Sequence, residues 1–195
     1  MGAPRKVRTP TRERLLEAAI SLMRQSGLSG AGINEIVRAS GAPKGSVYHF
    51  FPDGKQQIAA EALDAYSGRV VAFIEATLSR KRSPGTKVEA LFDAFAKRVE
   101  DGGFRSSCPA GTVCLDLDSE VDALRGAVAA SLTSYVSVIA PHFRFRDPGR
   151  VQSFARLVVT AIEGAYICAR ANRSSAAFRE AGTWLAELAR RESAP

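Results

Sequence analysis

Between Ile33 and Phe51 two short amphipathic segments stand on either side of Gly41-Ala42-Pro43, and this break constrains the chain more than any other feature. A glycine ends one helix and a proline opens the next within three or four residues, so the pair is expected to fold as a helix-turn-helix. The first segment spans about Ile33 to Ser40 and turns Ile33, Ile36 and Val37 inward. The second runs from about Lys44 to Phe51 and is stopped by Pro52. At about 100° per residue, Val47, Phe50 and Phe51 share one arc. Lys44, Gly45, Tyr48 and His49 share the opposite arc, with Ser46 at its margin. A cation, a phenol, an imidazole and a hydroxyl on an exposed arc offer donors for phosphates and base edges, and a glycine admits close backbone approach. Tyr48 and His49 would equally serve to cap a core, so pattern alone leaves both readings open.

The rest of the chain repeats the helical period. Helix one opens at Thr11 as N-cap and runs to Gly27, with Leu15, Ala19, Leu22 and Met23 on one face and Leu16 and Ile20 widening it. A fourth helix opens at Asp53, where Asp53 and Gln56 have capping-box spacing. Further helices are expected over Thr86–Asp101, 110–118, Glu120–Phe143, Arg150–Ala171 and Ser174–Arg191. No alternating strand pattern and no internal repeat is present. The expectation is an all-α chain of about nine helices. A three-helix helix-turn-helix domain occupies 1–57, and a helical ligand-binding and dimerisation domain occupies 58–195.

Charge sharpens the first of these domains. Residues 1–60 carry nine Lys/Arg against four acids, whereas residues 61–195 carry 18 against 16. An excess gathered at one end suits a polyanion, although a merely solvated tail would show it too. Residues 1–10 contain Pro4 and Pro10 and read as a flexible arm whose Arg5, Lys6 and Arg8 add to a DNA-contacting surface. No apolar run approaches the roughly 18–20 residues of a membrane span, and the basic start lacks the apolar segment of a secretory signal. A cytoplasmic protein without membrane contact is expected.

Enzymatic signatures are lacking. The two histidines, His49 and His142, have no acid or nucleophile close in sequence, and no P-loop or G-x-S-x-G occurs. Cys108, Cys114 and Cys168 form no C-x-x-C pair, so neither metal nor cofactor is expected. Buried thiols are the default, with a redox-responsive regulator built on Cys108 and Cys114 as an alternative.

The stretch Thr11–Ile58 resembles the TetR family of transcriptional regulators. T-R-E-R-L-L-E-A-A in helix one, I-N-E-I-V-R-A-S-G-A-P-K-G-S-V-Y-H-F-F across the turn, and Lys55 soon after carry the likeness. The run G-A-P-K-G-S-V-Y-H-F-F-P-D-G-K is similar to the LmrA/YxaF branch, and C-P-A-G-T-V at 108–113 resembles it more weakly. The resemblance implies that Lys44, Tyr48 and His49 contact phosphates or base edges, with Ser46 and the Gly45 backbone close by, and that Lys55 touches a phosphate. Gly32 and Pro43 depart from it, standing where the family often has a capping threonine and serine. The P-D-G insertion lengthens the junction to helix four by one residue.

The resemblance also implies an intersubunit four-helix bundle from the last two helices. Val151, Phe154, Leu157, Val158, Ala161, Ile162 and Ala165 form one wide apolar stripe, and Phe178, Ala181, Trp184, Leu185 and Leu188 another. An ordinary monomer core would show the same stripes. Candidates to line an effector cavity are Phe73, Phe92, Phe95, Cys108, Cys114, Leu117, Tyr135, Phe143, Tyr166 and Ile167, whose apolar character suits a small hydrophobic or aromatic effector. The function expected is that of a homodimeric repressor of a double-stranded DNA operator, released when the effector binds. A small-molecule-modifying enzyme is the remote alternative.

Overall fold

The computed structural model describes residues 10–81, 83–117 and 123–193. Among them nine α-helices follow one another: α1 (Pro10–Ser26), α2 (Ile33–Ser40), α3 (Lys44–Phe50), α4 (Gly54–Ser79), α5 (Pro84–Asp101), α6 (Pro109–Cys114), α7 (Ala123–Ile139), α8 (Gly149–Asn172) and α9 (Ala176–Glu192). A 3-10 turn at Ala140–His142 follows α7. The all-α expectation is met. The sole extended pairing among the described residues is an isolated bridge between Phe145 and Ser193, which ties the segment after α7 to the end of α9. Arg5, Lys6 and Arg8, and the expected start of a helix at Glu120, lie outside the described residues.

Helices α1 to α3 close around Leu15, Ala19, Met23, Ile36, Val47 and Phe51, all at 1% exposure or less. Gly41 sits at φ +63°, and its N–H donates to Val37 O at 3.0 Å, which stops α2 in the left-handed conformation that glycine adopts without steric cost. The Ser40 hydroxyl accepts from Ala42 N and donates to Val37 O, fixing the turn from the side. Pro43 then opens α3 with extended backbone.

The entry to α4 differs from the sequence expectation. The helix starts at Gly54, at φ +65°, and Asp53 makes no side-chain cap. The left-handed Gly54 shifts the register, so Gln57 rather than Gln56 reaches back, its Oε1 accepting from Asp53 N at 3.1 Å. From there α4 runs 26 residues without interruption. It packs on α1, where Arg12 pairs with Glu61 and Glu17 with Arg69, and its length also meets α5 and α7. One rigid helix therefore joins the two halves, and the 57/58 boundary falls inside it.

In the C-terminal half α5 lies along α9 and α7 along α4. Gly182 makes the first contact close: a methyl there would come within 2.7 Å of Phe92 Cβ. Phe143, Phe145 and Phe154 meet edge to face at centroid distances of 5.1–6.1 Å and anchor α8 beneath the 3-10 turn. No described helix is long and apolar enough to cross a membrane.

Candidate nucleic-acid interface and effector cavity

Helix α3 separates its two faces as its sequence predicts. Val47 and Phe51 are fully buried and Phe50 is half-buried, while Lys44, Gly45, Tyr48 and His49 are exposed, Tyr48 at 55%. Ser46 is intermediate. The His49 ring meets Phe50 edge-on at 4.7 Å, which steadies the imidazole at the rim of the core. A methyl added at Gly45 would meet nothing within 4 Å. A glycine in a helix costs up to about 1 kcal/mol relative to alanine, and no packing inside the protein accounts for this one.

Lys55, half-buried in the first turn of α4, lies next to Gly54, whose Cβ position is 4.0 Å from the Tyr48 ring. The start of α4 and the outer arc of α3 therefore form one surface. Neither α2 nor α3 has a side-chain N-cap, because Gly32 and Pro43 supply none.

Arg12 and Arg24 do not share in that surface. Arg12 is buried, paired with Glu61 of α4, with its guanidinium 5.0 Å from the centre of the Phe51 ring. It holds the C-terminal end of α3 onto α4. Arg24 donates from Nε to Ser107 O at 3.1 Å and lies over Tyr66. Arg14 and Arg38 are exposed with Lys44.

The C-terminal end of α1 is gripped by the other half of the molecule. Ser107 N donates to Arg24 O, Thr112 Oγ1 to Met23 O, and Arg170 Nη2 to Gln25 O, at 2.9, 2.7 and 2.9 Å. Beyond α1, Ser29 N donates to Asp116 Oδ2 at 2.9 Å. Residues of α6 and α8 thus hold α1 directly.

Behind this grip lies a small apolar cavity of about 20 Å³, walled by Tyr66, Phe95, Cys108, Tyr135, Glu163 and Tyr166 among others. Cys108, Glu163 and Tyr166 also wall an outer groove of about 480 Å³, edged by the exposed Leu115 and Ile167. Phe95, Cys108, Tyr135 and Tyr166 are therefore brought together as the sequence suggested. Five others are not. Phe92 is spent against Gly182 of α9, Phe73 packs on Phe95 with Arg98 over its outer face, Leu117 is half-buried elsewhere, and Cys114 is exposed. Phe143 belongs to the aromatic cluster under α8.

Sequence reasoning missed Tyr66 and Glu163. The signal for Glu163 was present: it is the sole charged residue between Arg156 and Arg170, set in L-V-V-T-A-I-E-G-A-Y-I. Burial raises its carboxyl above the usual range, with a hydrogen bond from Cys108 acting the other way. Burial likewise pushes the Cys108 thiol up, and so do the Glu163 charge and hydrogen bond. That is the opposite of a reactive thiolate. The expectation of three buried thiols is also corrected, since Cys114 and Cys168 are exposed at helix surfaces where no neighbouring element covers them. His142 bonds Glu75 at 2.9 Å, and Lys87 Nζ donates to the His142 carbonyl, a tie among α4, the 3-10 turn and α5.

The apolar stripes of α8 and α9 divide in two. Phe154, Val158, Ile162, Ala165, Phe178 and Leu185 are buried within the protomer and cannot reach a partner. Leu157 and Trp184 are exposed at 45% and 73%, beside half-buried Val151, Ala161, Ala181 and Leu188.

Comparison with known proteins places these features. Residues 15–62 match the family described as bacterial regulatory proteins, tetR family, and residues 84–183 match the C-terminal domain of LmrA/YxaF-like transcriptional regulators. The HTH-type transcriptional regulator Rv0196 of Mycobacterium tuberculosis is 32% identical over 169 residues, covering 83% of this chain and 85% of its own. A solved regulatory protein TetR from Rhodobacter sphaeroides superposes with a TM-score of 0.83 at 19% identity, over 92% of this chain and 98% of that one. The TetR-family regulator CifR, solved with 26-bp operator DNA, superposes at 0.76 and 21% identity, over 97% of this chain and 98% of its own.

Proposed function

The chain belongs to the TetR family of bacterial transcriptional regulators, in its LmrA/YxaF-like branch, and from that premise we propose that it is a homodimeric repressor released from its operator by a small hydrophobic effector. The family is one of regulators, not of enzymes. The observation that carries the reading is the outer arc of α3, where Lys44, Gly45, Tyr48 and His49 stand exposed above buried Val47 and Phe51. Lys44 and Lys55 neutralise phosphates, and Tyr48, His49 and Ser46 approach base edges or backbone, while bare Gly45 lets the duplex come close. CifR, a protein of the same fold, was solved with operator DNA, which supports double-stranded DNA as the partner. If the arm at Arg5, Lys6 and Arg8 lies along the duplex, it adds salt-dependent affinity.

Pairing rests on a second face. On α8 Leu157, Ala161, Gly164 and Cys168 recur at helical spacing, as do Ala177, Ala181, Trp184 and Leu188 on α9, all exposed or half-buried. A second copy packed on these faces closes a four-helix bundle and sets two α3 helices about 34–36 Å apart, one turn of DNA. An effector that wedges between Phe95, Tyr135 and Tyr166 must move the Cys108 segment, and that segment holds α1. Release then follows from differential affinity for two arrangements.

The test is a titration of the full chain against a duplex carrying the palindrome beside its own gene and against random duplex. Specific binding at moderate salt, weakened by His49→Ala and relieved by a hydrophobic inducer, is the expected result. Equal affinity for both duplexes rules the reading out.

A further inference from the structure

Resting on the regulator reading above, we infer that the effector is a lipophilic cation, an amine carried on an apolar or aromatic body, and that Glu163 is the residue that selects it. Glu163 stands where the inner cavity and the outer groove meet, and it walls both. Its carboxylate lies so close against Gly111 that any side chain there would collide with Oε2, so the glycine leaves room for the oxygen beside α6. No ion pair joins Glu163 to any cation among the described residues, and the group that bonds it is the weak donor Cys108. Everything else around the cavity is apolar or aromatic.

The nearby cations are already engaged. Arg170, on the groove wall, donates to the Gln25 carbonyl and to Ser107 Oγ. Arg24 lies 5.2 Å from the centre of the Tyr66 ring and Arg98 4.5 Å from that of Phe73. A carboxylate left in an apolar wall without a counter-charge is costly, and a ligand that brings the counter-charge removes that cost. Phe95, Tyr135 and Tyr166 supply rings, which attract a cation as well as its hydrocarbon body. An anionic ligand meets Glu163 as a like charge and is excluded. A neutral ligand gains the rings and forgoes the ion pair. The site therefore ranks cation over neutral over anion.

Binding also has a route to the DNA-reading unit. Glu163 abuts Gly111, and Thr112, the next residue, donates to Met23 O in α1. An ammonium that draws the carboxylate toward the groove frees the space against Gly111 at the point where α6 grips α1.

Three probes of matched shape separate the outcomes: phenylbutylamine, phenylbutanol and phenylbutyrate, titrated calorimetrically into the full chain. The expected result is that the amine binds about tenfold more tightly than the alcohol, the difference of one charge-assisted contact, and that the butyrate binds least. In Glu163→Gln the amine and the alcohol bind alike, and in wild type alone the amine lowers affinity for the operator duplex. Equal binding of amine and alcohol to wild type, no amine binding at all, or a preference unchanged in Glu163→Gln overturns the inference. The wild-type comparison decides even if the variant does not fold. A chain that holds its operator yet ignores the amine defeats this inference alone. A chain that binds the amine yet does not distinguish operator from random duplex defeats the regulator reading alone.

Discussion

The two ends of the molecule present side chains in opposite senses. On α3 the candidate DNA contacts are polar, exposed and carried on seven residues, with two buried aliphatic and aromatic anchors beneath. On α8 the candidate effector and pairing groups are apolar, spread over 24 residues, and shared among three environments: protomer core, cavity wall and outer face. A short helix with one buried arc and one polar arc has one way to sit. A long helix that is apolar around most of its circumference has several, and only neighbouring elements decide which face meets what.

The strongest way to break this contrast is at the outer faces of α8 and α9. Leu157→Glu combined with Trp184→Arg leaves the protomer core untouched, since both residues are exposed. The expected outcome is a monomer by sedimentation and loss of specific operator binding, with helicity by circular dichroism retained. Unfolding instead would show that these side chains serve the protomer.

Phe51→Ala attacks the anchor of the reading unit. Phe51 is wholly buried and carries the Arg12 guanidinium on its face. Truncation is expected to cost about 3–5 kcal/mol, read as a lowered denaturant midpoint. Tyr48→Ala and His49→Ala, on the outer arc of the same helix, are expected to leave that midpoint within about 0.5 kcal/mol. Each weakens operator binding by about 1–3 kcal/mol in fluorescence anisotropy. If stability and binding fell together in all three variants, the separation of faces on α3 would be wrong.

Gly45→Ala sharpens the point because its two effects have opposite signs. With empty space around the added methyl, the variant is expected to be more stable by roughly half a kcal/mol, and to bind its operator more weakly because the methyl stands where the duplex approaches.

The smallest effect comes from Glu163, and its sign is fixed by linkage. Burial raises the carboxyl above 4.5, so the folded state holds its proton more tightly than the unfolded chain does. That stabilisation is complete below the unfolded pKa and is lost as pH rises through the folded one. Glu163→Gln is therefore expected to melt nearer to wild type at pH 4 and to outlast it increasingly as pH rises above about 4.5. A wild-type advantage that grows with pH would contradict a carboxylate without a counter-charge in an apolar wall.

Much of this was legible in the residues. The Gly41-Ala42-Pro43 break and the arcs of α3 marked the helix-turn-helix, because local period and turn chemistry there agree with the tertiary outcome. The cap at α4 was misread because Gly54 takes a left-handed conformation that moves the bond from Gln56 to Gln57. The cavity wall was half readable. Phe92 is as apolar as Phe95, and only the close approach at Gly182 sends it to α9 instead. The pairing stripe merged two faces one helical step apart, Phe154–Val158–Ile162–Ala165 inward and Leu157–Ala161–Gly164 outward, since period alone does not say which neighbour covers an apolar arc. Glu163 is charged, and an apolar periodicity marks only the apolar part of the wall it shares.

In the proposed repressor, two α3 helices held in a dimer read DNA one turn apart. Inserting five base pairs between the half-sites of the palindrome beside the gene rotates one half-site by about half a turn. If the account is right, affinity for the altered duplex drops to that of random DNA at the same salt. If the altered and native duplexes bind alike, the paired recognition helices are not what holds this protein to its operator.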